Sequence, residues 1–325
     1  MPQIFRMFLA AAAAFAGSFL LTAVYAYAAK KQNIFCGCRD RVPSGAGLIF
    51  GVCSLSAAFF FRTPGDSAVL LPAVFMLLSG ILDDVFEFNV TVKILFQAAA
   101  VALLAGNGVM LRTGILGGAL DVPLTFFWVL GITNAFNYLD IVDGLAASLG
   151  IISAAAFFAV FIIYGHFPQA VLYLSLSGAL GGFIVSNYPP ARVYMGNTGS
   201  HFLGFILALA PLSFPFRPSP GINIIPAALL ILGVPVFDTA FVTLLRFFRR
   251  QPVFKKSNDH LALCLIRQGV PLKAVLKRMS IASGLFCASG VLISLPRVRW
   301  ISAVILLPAV FICVRMAGTA VRARR

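Results

Sequence analysis

Charged residues are scarce in this 325-residue chain, at 11% of the sequence, and acidic residues are the rarest of them, with 10 Asp and Glu against 25 Lys and Arg. Hydrophobic residues make up 60%. Soluble domains carry about twice that share of charge, so an ordinary soluble fold is excluded. Many apolar runs approach the length of about 20 residues that a helix needs to cross a bilayer. The composition therefore predicts an all-α polytopic membrane protein.

Cysteine offers no obvious metal or redox framework. The six cysteines include no Cys-x-x-Cys pair, and Cys36 and Cys38 form the one close pair. No second cluster completes a site around that pair. Cys53, Cys287 and Cys313 lie in apolar runs, where cysteine acts as a small hydrophobic residue. The pattern argues against a structural zinc site.

We expect about 10–11 transmembrane helices in a single integral membrane domain over residues 1–325. The candidate spans are 7–29, 45–61, 67–82, 92–107, 122–139, 145–164, 168–186, 200–216, 222–245, 280–296 and 300–316. The first run ends like a signal-peptide cleavage site, but only Arg6 precedes it, and basic residues follow it. A secretory signal carries its positive charge first. The charges therefore indicate a retained helix with its N-terminus outside the cell.

The distribution of basic residues predicts the orientation of the loops. When the loops after odd-numbered spans are placed in the cytoplasm, 19 of the 25 basic residues lie on that side. A basic excess of this kind is typical of loops at an anionic membrane surface. The positive charge is therefore explained without nucleic acid as a partner. Eight of the ten acidic residues fall on the same side. Because acidic residues contribute little to topology, a cation site at the cytoplasmic face is the explanation we favour.

The longest polar motif lies between two apolar runs and includes Asn134, Asn137, Asp140, Asp143 and Gly144. Its two amides and two carboxylates follow one another at three-residue spacing, so on a helix or its frayed end all four share one face. Carboxylates at membrane depth cost roughly 2.5–3.5 kcal/mol each and are functional candidates by default. The spacing predicts that the four side chains converge on one ligand. The alternative is a polar helix end in headgroup water.

A second polar motif ends in Asp83-Asp84 and is followed by Lys93 and Gln97. Adjacent carboxylates repel each other unless a cation lies nearby. The pair therefore suits Mg²⁺ or a proton-accepting role. The alternative is a solvated helix end.

A third motif runs from Asn187 through Pro190-Ala-Arg192 and Gly196-Asn197 to Ser200, and leads straight into an apolar run. Backbone N–H groups at such a helix start favour an anion such as phosphate. The pattern therefore predicts a phosphate-binding turn, although many transmembrane helices start after a similar Gly-Ser turn.

The fourth motif is a basic loop at 246–279, predicted to be cytoplasmic, which holds nine basic residues and His260. These residues are candidates for a functional site, but an amphipathic segment that lies on anionic lipid would carry the same charges. The loop could serve in a functional site and lie on the lipid surface at the same time.

In this order the motifs resemble those of the polyprenyl-phosphate N-acetylhexosamine-1-phosphate transferase family over about residues 43–270. Asp83-Asp84 resembles the family's paired aspartates, and Lys93 and Gln97 stand at the places of its following Lys and Gln. The longest motif is similar to its Asn-x-x-Asn-x-x-Asp-Gly-x-Asp-Gly signature. The third motif is similar to its Pro-Ala-Arg-x-x-Met-Gly-Asp-x-Gly-Ser block, which is typical of the hexosamine branch. The stretch around Asp238 resembles the helix that leads into the family's sugar-recognition loop.

The chain departs from the family pattern at several places. Asn197 stands where the family has a metal-binding Asp, and Ile141 stands where it has Gly. In the basic loop the family carries an Asp three residues before a His and then a His pair. Here those places read Ser257, His260 and Ala262-Leu263, so a single histidine is left.

The resemblance implies transfer of a sugar 1-phosphate, expected to be N-acetylhexosamine 1-phosphate, from a UDP-sugar to undecaprenyl phosphate. UMP is released, and the reaction is the first membrane step of cell-envelope polysaccharide synthesis, as for O-antigen. The resemblance further implies Mg²⁺ as the cofactor, with Mn²⁺ as an alternative. It implies a bacterial inner-membrane protein whose site faces the cytoplasm. Membrane lipid is a further partner, and a homodimer is left open.

Carried over residue by residue, the resemblance also implies roles for individual side chains. The implied catalytic residues are Asp83, Asp84, Asp140 and Asp143. The implied metal ligands are Asp140 and Asn197. The implied substrate-binding residues are Asn134, Asn137, Asn187, Arg192, His260 and Lys93.

Three other interpretations compete with this one. A cation-coupled transporter also carries carboxylates in broken helices, but near mid-bilayer and often in two repeated halves, whereas these lie at span ends on one side. A non-catalytic relative that binds lipid-linked sugars fits the replaced Asn197 and the missing histidines. The phospho-MurNAc-pentapeptide transferase of peptidoglycan synthesis normally shows three consecutive histidines in its last loop, where this chain keeps one.

Overall fold

The computed structural model describes residues 3–32, 42–61, 68–113, 118–214, 224–251 and 259–322. Over these ranges the regular elements are thirteen α-helices. They are α1 Gln3–Gln32, α2 Gly47–Phe61, α3 Leu70–Phe86, α4 Val90–Gly106, α5 Asp121–Leu139, α6 Leu145–Ile163, α7 Phe167–Asn187, α8 Gly196–Ala208, α9 Ile224–Ile231, α10 Gly233–Phe248, α11 Leu261–Arg267, α12 Leu272–Ser294 and α13 Arg299–Arg322. The predicted all-α class is confirmed. Cys36, Cys38 and Ser257 lie outside the described residues.

Six helices are long and apolar enough to cross a membrane, namely α1, α5, α6, α7, α12 and α13. The pair α9 and α10, bent by 72°, brings the number to seven if it forms one broken span. The chain is thus a multi-pass membrane protein. Each of the eleven predicted spans falls on one helix or on the bent pair. The lower count follows from length, because α2, α3, α4 and α8 have only 13–17 residues, so eleven full crossings stay a prediction.

The described chain forms two compact units, residues 1–218 and 219–325. The first unit contains α1 to α8, and the second contains α9 to α13. Each has its own buried apolar interior. A single domain over the whole chain stays a prediction.

The short helix α8 is the centre of the first unit. All eleven residues from Thr198 to Ala208 are buried, and α8 packs against α2, α3, α5 and α6. Phe202 and Phe205 are fully buried along it. Since α8 is enclosed in this way, its first turn is held by the ends of α3 and α5 rather than by bulk water.

The most extensive helix–helix interface in the first unit is that between α1 and α7. Glycines on α7 allow the two helices to come close. A Cβ added to Gly182 would lie 2.3 Å from the backbone oxygen of Phe15, and one added to Gly178 would lie 2.4 Å from that of Ala11. Real Cβ atoms do not approach a backbone oxygen so closely. The glycines therefore allow the two backbones to touch, which is a common way for membrane helices to associate.

The second unit contains the antiparallel hairpin of α12 and α13. Ser289 and Ser302 face each other across it, each hydroxyl donating to the other residue's carbonyl oxygen, at 3.2 Å from Ser289 and 2.9 Å from Ser302. These two bonds satisfy buried hydroxyls in an apolar interface. They also fix which residues of the two helices lie side by side.

We predict that Gly182→Ala destabilises the α1–α7 contact, because its methyl group would push against the α1 backbone. Overpacking of this kind costs about 1–3 kcal/mol, so the thermal midpoint of the purified protein should fall by several degrees. The matched control is Gly181→Ala on the same helix, whose Cβ meets only the Phe15 side chain, at 3.3 Å. Equal midpoints for the two variants would contradict the predicted contact.

Candidate active site

The first turn of α8 is held by a carboxylate from α3. Asp84 accepts hydrogen bonds from the backbone N–H of Asn197 at 2.7 Å and of Thr198 at 3.0 Å, and from the Thr198 hydroxyl at 2.6 Å. These N–H groups have no partner within α8 itself. A negative charge at a helix N-terminus is also favoured by the helix dipole.

Two glycines make this contact sterically feasible. A Cβ at Gly80, one turn before Asp84 on α3, would lie 2.5 Å from the Thr198 Cα atom. Gly196 has a positive φ of 74°, and its Cβ would lie 2.7 Å from the Asp84 Oδ2 atom. A left-handed residue without a side chain is therefore needed where α8 begins.

A second carboxylate reaches the same turn from α5. Asp140 is the residue that caps the C-terminus of α5, and its carboxylate accepts the backbone N–H of Gly196. The sequence predicts that the N–H groups of this turn bind an external phosphate. That expectation is wrong for these three groups, because Asp84 and Asp140 already occupy them. The cause is the packing of the α3 and α5 ends against α8, which local sequence does not reveal.

Asp140 is electrostatically unfavourable as a carboxylate. Burial raises the pKa of Asp140 well above its usual value, and the nearby charges of Asp84 and Asp143 raise it further. The hydrogen bond from Gly196 acts in the opposite direction but is the smallest of these effects. A cation close to these three aspartates would remove the repulsion.

Asp143 and Asn187 connect two turns of the chain. Asp143 Oδ2 accepts the Ala191 N–H at 3.1 Å. The buried Asn187 side chain accepts the Gly144 N–H at 3.1 Å and donates to the Val193 carbonyl at 2.9 Å. Two of these hydrogen bonds join the turn after α5 to the turn before α8, and the third, from Asn187 to Val193, lies within the turn before α8.

The four residues of the longest motif do not all meet at one point. Asn134 donates to the Gln97 side chain of α4 at 3.0 Å, whereas Asn137 accepts the Ser200 hydroxyl of α8 at 2.9 Å. Asp140 and Asp143 lie beyond the last residue of α5 and have the backbone partners described above. The motif thus spreads over three neighbours, because the helix that would align the four side chains ends at Leu139.

The neighbouring carboxylates of Asp83 and Asp84 point to different partners. Asp83 is buried and forms an ion pair with Lys93 at 2.7 Å, and it also accepts the Phe88 N–H at 2.9 Å. Successive helical residues project about 100° apart, so a shared ligand is not required by their adjacency. The structure brings Asp84, and not Asp83, to the start of α8.

Two predicted site residues have side chains that make no hydrogen bond within the described part of the chain. Asn197 is partly buried beside Asp84, while Arg192 is exposed on the turn before α8. Both are attached to backbone that is itself held, since the Arg192 N–H donates to the Ser186 carbonyl at 2.7 Å. Their side chains are therefore able to meet a ligand.

A buried histidine on α8, His201, lies just outside the polar motifs of the sequence. The Nε2 atom of His201 and the Nε2 atom of Gln97 are both buried without a hydrogen-bond partner among the described residues. The available signal was a polar side chain inside an apolar helix. Orphaned buried polar atoms of this kind are expected where a polar ligand enters.

His260 belongs to the second unit, where Asp238 of α10 holds it. Its Nδ1 atom lies 2.7 Å from Asp238 Oδ2, and the Leu261 N–H donates to Asp238 Oδ1 at 2.8 Å. Arg246 and Asp259 form a further buried ion pair at 3.4 Å. Asp238 belongs to one of the sequence motifs, but the motif alone does not predict that it orients the histidine.

The oxygen donors of the first unit can hold a metal ion only if a further ligand, such as a substrate phosphate, completes the coordination shell of the ion. Within the described ranges there is no group of three His, Cys, Asp or Glu side chains placed to hold a metal ion. Mg²⁺, however, commonly uses one or two carboxylates together with substrate phosphates. The repulsion at Asp140 and the unbonded amide of Asn197 are compatible with that mode of binding.

The model of glycosyl transferase family 4 matches residues 67–214. A Bacillus subtilis relative, named probable undecaprenyl-phosphate N-acetylglucosaminyl 1-phosphate transferase, is 32% identical over 67% of this chain. The chain belongs to glycosyl transferase family 4. The family match contains every candidate site residue except His260.

Two further family members resemble the chain over more of their length. An undecaprenyl-phosphate alpha-N-acetylglucosaminyl 1-phosphate transferase of Thermotoga maritima is 28% identical over 75% of this chain and 76% of its own. The Escherichia coli K12 protein of the same name is 24% identical over 94% of this chain and 91% of its own. The match with the Bacillus relative covers 63% of that relative's length.

We predict that Asp140→Asn stabilises the metal-free protein. Since the folded pKa of Asp140 is raised, its carboxylate destabilises the fold as pH rises above the ordinary aspartate value of about 4. The amide keeps an acceptor for Gly196 and removes the charge. The thermal midpoint in chelator-treated buffer should therefore rise at pH 7 and be nearly unchanged at pH 4.

The control for this variant is Asp121→Asn at the other end of α5. Asp121 accepts the Thr113 N–H at 3.0 Å and the Thr113 hydroxyl at 2.6 Å, so its replacement should lower the midpoint. A lower midpoint for Asp140→Asn at pH 7 would contradict the charge repulsion.

Proposed function

We propose that this chain transfers a sugar 1-phosphate, expected to be N-acetylhexosamine 1-phosphate, from a UDP-sugar to undecaprenyl phosphate. The observation that carries the proposal is the group of Asp84, Asp140 and Asp143 around the start of α8. It lies within the region that the family model matches. The relatives whose printed names state this kind of transfer support the assignment.

The proposed reaction is a substitution at phosphorus. An oxygen of undecaprenyl phosphate forms a new bond to the β-phosphorus of the UDP-sugar, and the bond from that phosphorus to the oxygen bridging to the α-phosphate breaks. The sugar diphosphate stays on the lipid, and UMP leaves with the electron pair. A phosphate monoester has a second pKa of about 6, so the lipid phosphate is largely a dianion at neutral pH. The protein therefore has to position the reactants and balance their charge rather than supply a strong base.

Asp140 and Asn197 are the residues we propose to hold Mg²⁺, with Mn²⁺ as the alternative ion. When bound, the ion would neutralise the diphosphate and the aspartates around it. Asp84 is proposed as a positioning residue, because its carboxylate fixes the backbone of Asn197 and Thr198. Asp143 and Asn187 would keep the two adjoining turns in register.

The basic residues and amides of the first unit are proposed to bind the substrates. Lys93 is held by Asp83 at 2.7 Å, which places an ammonium group near the lipid phosphate in our proposal. The exposed guanidinium of Arg192 suits a diphosphate oxygen. Asn134 and Asn137 keep the carboxyl-terminal part of α5 in contact with α4 and α8. His260 of the second unit, oriented by Asp238, is retained as a proposed substrate-binding residue.

We further propose that the chain lies in the bacterial inner membrane with its N-terminus outside. The split of 19 to 6 basic residues supports this orientation. It places the ends of α3 and α5 and the start of α8 at the cytoplasmic face. UDP-sugars would then have direct access from the cytoplasm.

A non-catalytic role in binding lipid-linked sugars is the second candidate. The observation in its favour is Asn197, a neutral residue where the family has a metal-binding Asp. An amide oxygen can bind Mg²⁺ but adds no negative charge. This candidate predicts lipid binding without turnover.

We predict that Asp140→Asn and Asp143→Asn each lower UMP release at least a hundredfold, the scale expected for loss of a group that stabilises charge. The assay uses purified protein, Mg²⁺, undecaprenyl phosphate and UDP-N-acetylhexosamines. The control is Glu87→Gln, an exposed carboxylate just beyond α3, which should retain turnover. Near-normal turnover in both aspartate variants would overturn the proposed site.

We predict that Asn197→Asp lowers the Mg²⁺ concentration needed for half-maximal UMP release, because it adds a carboxylate beside Asp84 and Asp140. The same variant should be less stable without metal and should gain more in thermal midpoint on addition of Mg²⁺. If the unaltered chain shows no transfer and Asn197→Asp restores it, the non-catalytic role is correct. If Asn197→Asp abolishes transfer that the unaltered chain performs, Asn197 does not contact the metal.

A further inference from the structure

A groove of about 340 Å³ opens between α11, α12 and α13 in the second unit. Two arginines from different helices line it, Arg278 of α12 and Arg315 of α13. Its apolar wall includes Leu265, Ile281, Phe311 and Ile312. The groove therefore combines two positive charges with an apolar surface.

The two arginines lie at the same depth of the hairpin. Arg278 is six residues from the first residue of α12, and Arg315 is seven from the last residue of α13. At 1.5 Å per residue both lie about 10 Å from the same end of the hairpin. The pairing of Ser289 with Ser302 fixes the register that brings the two arginines opposite each other.

Neither guanidinium is neutralised within the described part of the chain. The second unit contains only two acidic residues, Asp238 and Asp259. Asp238 is paired with His260, and Asp259 is paired with Arg246. Arg315 lies over the Phe311 ring at 5.9 Å, a contact that leaves its charge uncompensated.

Both arginines fall inside helices that are candidate membrane spans. Charged side chains in such segments are rare and usually have a counter-charge. Two like charges line one groove, and among the described residues of the second unit no carboxylate is left to pair with them. A ligand from outside the protein would supply the counter-charge. Phe311 and Ile281 are 63% and 47% exposed, so the same ligand would also need an apolar part.

We propose that this groove binds an anionic phospholipid of the surrounding bilayer. Its phosphodiester would lie between Arg278 and Arg315, and the upper part of an acyl chain would cover Ile281 and Phe311. Basic pockets between membrane helices are known to bind lipid head groups in this way. The proposal goes beyond the transfer reaction and does not depend on it.

The experiment measures lipid retention by the full-length protein in detergent. The protein is incubated with phosphatidylglycerol or with phosphatidylcholine of the same chain length, and bound lipid is counted by native mass spectrometry. We expect at least a tenfold preference for phosphatidylglycerol, equivalent to about 1.4 kcal/mol. The double variant Arg278→Gln and Arg315→Gln should lose that preference to within about twofold.

The matched control is the double variant Arg297→Gln and Arg299→Gln. It removes the same charge near the turn at the other end of the hairpin, where both side chains are exposed. It should keep the preference of the unaltered protein. Equal loss in both double variants would show that net charge, and not this groove, attracts the lipid, and would overturn the proposal.

A competition with undecaprenyl phosphate separates the two sources of lipid phosphate. We expect an equimolar amount to leave phosphatidylglycerol bound to the groove. Complete displacement that disappears in the Arg278→Gln and Arg315→Gln variant would make the groove a site for the phosphomonoester and would overturn our assignment. Neither result depends on UMP release, so failure of this proposal is distinguishable from failure of the proposed reaction.

Discussion

The hydrogen bonds that Asp84 and Asp140 accept from the start of α8 are the interaction on which the candidate site depends. A buried helix start leaves several N–H groups without partners, and α8 is enclosed by four other helices. The ends of α3 and α5 supply the missing acceptors as carboxylates. The same bonds therefore complete a central helix and gather negative charge at one place.

This arrangement couples stability to chemistry. Burial and mutual repulsion disfavour the charged form of Asp140, yet a cation with a bound diphosphate would reverse that penalty. A site that is strained without its ligand is a common property of functional centres, because the ligand then gains the energy that the empty site lacks. Asn197, beside Asp84, adds no further charge to this group, because its side chain is a neutral amide.

The two units solve the problem of buried charge in different ways. In the first, carboxylates are satisfied mainly by backbone N–H groups and by Lys93. In the second, Asp238 and Asp259 each have a partner, His260 and Arg246, and Arg278 and Arg315 have no carboxylate partner among the described residues. The aspartates around the start of α8 thus favour a cation, and the groove lined by Arg278 and Arg315 favours an anion. This suits a protein that we propose to bind a metal ion, a nucleotide and a phospholipid at one membrane.

The sequence by itself determined the all-α membrane architecture, because apolar runs separated by polar turns leave few other structures that satisfy the backbone in lipid. It also selected the four polar motifs and, through their order, the family. Only the tertiary structure decided what each polar group contacts. Asp83 and Asp84 are adjacent in the chain but serve different helices, and the turn that looked ready for phosphate is occupied by Asp84 and Asp140. Such partners are 56 to 114 residues apart in the chain, and local spacing cannot predict them, because they follow from how closely glycines such as Gly80 allow helices to approach.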